Sequence, residues 1–126
     1  MRRLMRPSAL PAPRFRYTPV VRVGSLVFVS GLIGLDRMTG ELATGGAAEE
    51  TRQVLHNLLA LCEAEKWSLR TLVFARVYCA GHESAAAVND AWDEFFRNEP
   101  PPARSFVVVA GLPLGAAVEI EFQLVV

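Results

Sequence analysis

Apolar residues fall along this chain in short, well-punctuated blocks. Val20 to Val23, the pair Gly24-Ser25 and Leu26 to Ser30 read as a hairpin closed by a two-residue Gly-X turn. Pro19 keeps the start of its first strand at a sheet edge. Leu32 to Asp36 reads as a short third strand, followed by a turn from Asp36 that ends at Gly40. After Gly45-Gly46 the period changes. Thr51, Val54, Leu55, Leu58, Leu61 and Cys62 recur at steps of three and four, predicting a helix over 47–66 with one core-facing stripe. Its first turn carries Glu49 and Glu50, where the helix dipole favours acids.

Leu69 to Cys79 is a second long apolar strand. Ser84 is placed to cap a helix from Ala85 to about Arg97, with Val88, Trp92, Phe95 and Phe96 on one side. Pro100-Pro101-Pro102 then forces a stiff, extended approach that neither a helix nor a central strand tolerates. From Ser105 to Ala110 the residues are apolar without alternation, the pattern of a strand buried on both faces. A loop at Gly111 to Gly115 leads to Ala117–Val126, where Val118, Ile120, Phe122 and Leu124 alternate with Glu119, Glu121 and Gln123. The order ββ(β)αβαββ predicts an α+β fold: a single domain with a mixed β-sheet and two helices packed on one face.

Composition changes this picture in three places. Of 126 residues 52% are hydrophobic and mean hydropathy is +0.27, yet no apolar run approaches the ~18 residues that span a bilayer. The surplus apolar surface implies burial between subunits. Thirteen basic and thirteen acidic residues cancel, so no global field recruits nucleic acid or a membrane. Cys62 and Cys79 lack any paired spacing and read as reduced core residues, pointing to a cytoplasmic protein. The first sixteen residues hold five arginines, no acid and three prolines, which reads as a flexible or docking arm rather than a targeting segment.

Candidate chemistry is sparse. His56 and His82 lie in separate elements without a metal-ligand spacing, and no phosphate- or nucleotide-binding motif occurs, so neither a metal nor a cofactor is expected. Polar residues at strand ends remain. Arg104 stands at the mouth of the apolar strand, and its planar fork suits a carboxylate or phosphate; the alternative is a surface ion pair. Ser30-Gly31 closes the second strand where a ligand can approach bare backbone. Glu119 opens the polar face of the last strand, Tyr17 precedes the first, and Asn89 borders the stripe of the second helix. Alone, each of these three fits an ordinary structural role.

Taken as a set, the segments resemble the RidA/YjgF family of reactive-imine deaminases, also known as L-PSP endoribonucleases. The resemblance is carried by Val23 through Gly31, by Asp36 with Thr39-Gly40-Glu41-Leu42, and by Thr51 through Leu55 with Asn57-Leu58. Further on it is carried by Val88-Asn89-Asp90-Ala91-Trp92 with Phe95-Phe96, by Pro102-Ala103-Arg104-Ser105, and by Leu112-Pro113 with Val118 through Glu121. It covers residues 17–126 and implies a chorismate-mutase-like domain in a homotrimer, with the sheets forming a central barrel and clefts between subunits. By the same resemblance Arg104 holds a substrate carboxylate and Glu119 positions the attacking water. Tyr17, Ser30, Gly31 and Asn89 line the cleft, with Tyr17 coming from a neighbouring chain. Phe106 stands where many members carry a cysteine beside the ligand, and Leu32-Ile33-Gly34 departs from the usual pattern, so the pocket wall is altered. The implied reaction is hydrolysis of a 2-imino or enamino acid to a 2-oxo acid, without cofactor. A non-catalytic metabolite-binding or chaperone-like trimer, a pathway-specific enamine deaminase and, less favoured, a ribonuclease are the alternatives.

Overall fold

A computed structural model describes residues 1–126. Six strands form one mixed sheet: β1 (Arg2–Leu4), β2 (Val20–Val23), β3 (Leu26–Ile33), β4 (Leu72–Ala80), β5 (Ala103–Val109) and β6 (Val118–Val125). Two helices, α1 (Ala47–Glu65) and α2 (Ala85–Phe95), complete the chain. The spatial order is β1-β2-β3-β6-β4-β5, antiparallel throughout except for the parallel pair β4 and β5. The chain thus passes from β3 through α1 to β4 and leaves a gap that the last strand fills.

The core lies between one face of the sheet and the two helices. Val54, Leu55, Leu58 and Leu61 of α1 and Val88 of α2 meet Val27, Val77, Val118, Ile120, Phe122 and Leu124, all of them buried. The alternation read in the last strand therefore holds, with Glu119, Glu121 and Gln123 on the open face. Gly24 takes φ 59°, as the first central residue of a mirror-image hairpin turn requires, and Val23 pairs with Leu26.

Five details differ from the sequence reading. Ser30-Gly31 does not end a strand; the register with β6 shifts between Val29 and Leu32, so the pair is a bulge inside a longer β3. Leu35, expected in a third strand, makes only an isolated bridge to Leu42. Leu69–Thr71 is a 3-10 turn before β4, with the Ser68 hydroxyl accepting the Arg70 N–H at 3.2 Å. Ser84 makes no cap hydrogen bond, because its backbone is already helical at the end of a 3-10 turn and its oxygen cannot face the first N–H groups. Finally, β5 is an edge strand, with Val107 43% exposed, rather than one buried on both faces.

The first sixteen residues are not a loose arm in this structure. Arg2–Leu4 pairs with β2, Arg2 reaches Glu65 at 3.1 Å, and Ala9 and Leu10 enter the core at 4% exposure. A chain so rich in proline and arginine gave no periodic signal, because only a few of its side chains are buried. Replacing Leu10 by Ala is expected to cost about 2–3 kcal/mol, as for a buried leucine, measured as a shift in denaturation midpoint. A loose arm would show almost no change.

Candidate functional site

The residues singled out by sequence fall into two groups on one chain. The first lines a cleft of about 320 Å³ that includes Tyr17, Ser30, Gly31 and Glu119, closed on one side by the segment 11–15 and on another by Pro113-Leu114. The bulge in β3 builds its floor. Ser30 donates its hydroxyl to the Thr18 carbonyl at 2.7 Å and its N–H to the Pro19 carbonyl at 2.9 Å, which ties the Tyr17 segment to the bulge. Gly31 makes room for the catalytic candidate itself. A Cβ there would lie 2.8 Å from the Glu119 carboxyl carbon, so only bare backbone lets that carboxylate lie across the strand.

Burial pushes the Glu119 carboxyl above the ordinary carboxylate range, and the nearby Glu121 charge adds to the shift. The Tyr17 phenol is raised too, first by burial and then by the Glu119 charge, so it stays a protonated donor. A carboxylate whose proton affinity is raised by burial, beside a phenol that can donate, is a pair suited to moving a proton.

The second group surrounds Arg104 on β5. Its Nη1 donates to Asn89 Oδ1 at 2.8 Å, and its guanidinium carbon lies 5.2 Å from the Trp92 ring centre and 5.3 Å from that of Phe106. No carboxylate lies within ion-pair distance of it. The surface ion pair weighed from sequence is therefore not what holds it. Asn89 and the two aromatic rings do, and they leave most of the guanidinium donors free for an anion.

The two groups do not meet within one chain. Arg104 pairs with Ala75 and Glu119 with Tyr78, positions three apart on β4. Ala75 faces the helices and is fully buried, so Arg104 lies on the helix side of the sheet and Glu119 on the open side, with β4 between them. Tyr17 shares Glu119's cleft, so it cannot be the only residue contributed by a second chain. Tyr17, Ser30, Gly31 and Glu119 travel together.

The structure adds residues that sequence reasoning passed over. Arg14, Phe15 and the Pro11-Ala12 pair belong to the cleft wall, hidden within a segment read as an arm. Leu114 lines it with φ 57°, a left-handed conformation costly for a branched side chain. Trp92, read as a helix core residue, also stacks on Arg104. No cluster of three or more His, Cys, Asp or Glu converges anywhere in the chain, and no helix is long and apolar enough to cross a membrane.

The profile of the family described as Endoribonuclease L-PSP matches residues 7–126. The chain belongs to that family, the RidA/YjgF proteins. A Dermatophagoides farinae protein named 2-iminobutanoate/2-iminopropanoate deaminase is 36% identical over 99% of this chain and 97% of its own length. RidA from the Antarctic bacterium Psychrobacter sp. is 36% identical with a TM-score of 0.90, covering 99% of this chain and all of that one. The crystal structure of E. coli TdcF with bound serine has a TM-score of 0.90 at 28% identity, covering 99% of both chains. The single-domain α+β architecture is thus that of RidA/YjgF proteins.

The raised Glu119 makes a prediction for stability. Its folded value lies above the unfolded one, near 4.3, so the group favours the folded state at low pH. That contribution is lost as pH rises through the window between the two values. Glu119→Gln removes the charge, so the variant's gain in Tm over the parent should be larger at pH 7 than at pH 4. Equal differences at both pH values count against a carboxylate strained by burial.

Proposed function

We propose that this protein hydrolyses small 2-imino acids and their enamine tautomers to 2-oxo acids and ammonia. The active species is a homotrimer in which each cleft joins the Arg104 group of one chain to the Glu119 group of another. One observation carries this reading. Arg104 is held rigidly by Asn89, Trp92 and Phe106 yet has no acid to neutralise it, so its fork is presented to an anionic ligand. The naming of relatives as imine deaminases supports the same chemistry.

The substrate carboxylate pairs with the Arg104 guanidinium, which fixes the adjacent C=N carbon and turns a bimolecular attack into an oriented one. Ionised Glu119 takes a proton from a water molecule as its oxygen bonds to that carbon. The C=N π pair moves to nitrogen, giving a carbinolamine. Glu119 returns the proton to the nitrogen. The C–N bond then breaks with its pair on nitrogen, a lone pair of the hydroxyl oxygen closes the carbonyl, and the hydroxyl proton passes to the departing nitrogen, so that ammonia leaves behind a 2-oxo acid. A carboxylate whose affinity for protons is raised by burial is a stronger base than one free in water. His56 in α1 and His82 in the turn before α2 both lie outside the cleft, so it holds no histidine pair for acid–base cleavage of RNA, which argues against the ribonuclease reading. A cytoplasmic location fits a role in clearing products of amino-acid metabolism and belongs to this proposal.

Three variants test it in an assay coupled to an imine-generating dehydratase. Arg104→Ala and Glu119→Gln should each lower kcat/KM by about 100-fold or more, and Arg104→Lys, which keeps charge but loses the fork, by at least about 10-fold. The rate of the parent should fall as pH drops through Glu119's raised value. Mixing the two inactive chains and reassembling them randomly should restore about a quarter of the parent activity, because one cleft in four then joins an intact Arg104 to an intact Glu119. No recovery on mixing would place both groups' function within a single chain and remove the inter-chain cleft. Full imine turnover by Arg104→Ala would remove the carboxylate clamp.

A further inference from the structure

We infer that the Glu119 cleft selects ligands with a second, distal carboxylate, and that Arg14 binds it. The inference takes from the proposed function only the placement of the ligand's first carboxylate on Arg104.

Arg14 lines the same cleft as Tyr17, Ser30 and Glu119. Its Nη2 donates to the carbonyl oxygen of Gly40, and no carboxylate lies within ion-pair distance of it. That carbonyl is itself fixed. Asp36 accepts the N–H groups of Met38 at 2.7 Å and Thr39 at 3.0 Å, and Gly40 closes the turn at φ 72° with its own N–H on the Asp36 carbonyl at 2.8 Å. The positive φ is what calls for glycine at position 40, and the turn it closes presents its carbonyl to Arg14. One of the five guanidinium donors is used in this way, and four remain.

A cation and a carboxylate in one cleft ordinarily collapse into an ion pair. Here they are held apart, Arg14 by the Gly40 turn and Glu119 by its berth over Gly31. The cleft therefore offers a base and, separately, an unneutralised guanidinium. On the far side of Phe15 and Tyr17 a second hollow of about 410 Å³ carries Arg6 and Arg16, which extends the positive potential beyond Arg14. A volume of 320 Å³ sits at the lower end for small-molecule sites, enough for a short dicarboxylic acid. The matching ligand is a five-carbon 2-oxo or 2-imino dicarboxylate, with its first carboxylate on Arg104 of a neighbouring chain and its second on Arg14.

Binding of 2-oxoglutarate and of its length-matched monoacid 2-oxohexanoate, measured by calorimetry on the assembled protein at about 0.15 M salt, tests this without turnover. The parent should bind the dianion about tenfold more tightly, the ratio should fall to near one in Arg14→Ala, and Arg14→Lys should keep part of it. Arg16→Ala, which alters the basic field but not the cleft, should retain the full ratio. The inference is overturned if the parent shows no preference, if neither acid binds, or if the preference survives Arg14→Ala. It is also overturned if Arg16→Ala lowers the ratio as much as Arg14→Ala. A protein that keeps the Arg14-dependent preference but hydrolyses no imine leaves this site standing and removes the deaminase reading.

Discussion

A β-strand turns successive side chains to opposite faces, and this geometry governs everything the molecule can do chemically. Arg104 and Glu119 are separated by the body of the sheet: one packs beside α2 on the helix side, the other opens onto the bare side. No rotamer change carries either side chain around an intervening strand. One chain therefore carries two separate polar groups, the Arg104 cluster at the β5 edge and the Glu119 cleft at the β3 bulge. Under the proposed function the chemistry is a property of an assembly, and the fold's task is to hold each half rigid before the other arrives.

The same geometry accounts for the apolar surface that composition exposes. Val23, Leu26, Phe28, Val107 and Val125 all lie on the side of the sheet away from the helices, and each is more than 40% exposed in the single chain. A contiguous face of this kind calls for cover in a soluble protein. Three of its polar members are partnered among themselves. Tyr78 donates to Glu121, and Arg76 lies 3.3 Å from the same carboxylate and 5.4 Å above the Phe74 ring. Covering that part of the face would bury a satisfied cluster, which lowers the penalty for doing so there.

The elements that sequence made legible are those whose burial follows one rule over many residues. The α1 stripe from Thr51 to Cys62 and the alternation of β6 are read directly, because each side chain along them reports the same packed face. The run Ser105 to Ala110 misleads for a physical reason: a continuous apolar run does not by itself report burial on both faces, and β5 is an edge strand whose Val107 stays 43% exposed. The bulge at Ser30-Gly31 was read as a strand end, since a glycine gives the same signal in both, and only the neighbouring Glu119 shows why it is there. Arg104 is legible from the stiff approach to β5 and Asn89 from its place beside the α2 stripe, but their contact depends on a crossover that brings α2 beside β5. The cleft wall from Pro11 to Phe15 carried no pattern, because its residues are ordered by a few contacts and single hydrogen bonds rather than by a repeating face.

That same segment shows why a net charge can mislead. The chain sums to zero, yet its first sixteen residues hold five arginines and no acid, leaving eight basic residues against thirteen acidic ones in the remainder. Folding does not spread this charge. Arg14 lines the Glu119 cleft and Arg6 and Arg16 the adjoining hollow, while Arg2 is paired with Glu65 and Glu94, Asp93 and Asp90 lie along α2. Within about 8 Å, the screening distance at physiological salt, an approaching anion responds to the arginines it faces rather than to the total. A cleft with Arg14 in its wall and Arg6 and Arg16 in the adjoining hollow favours anionic ligands over neutral ones even before any direct contact is made.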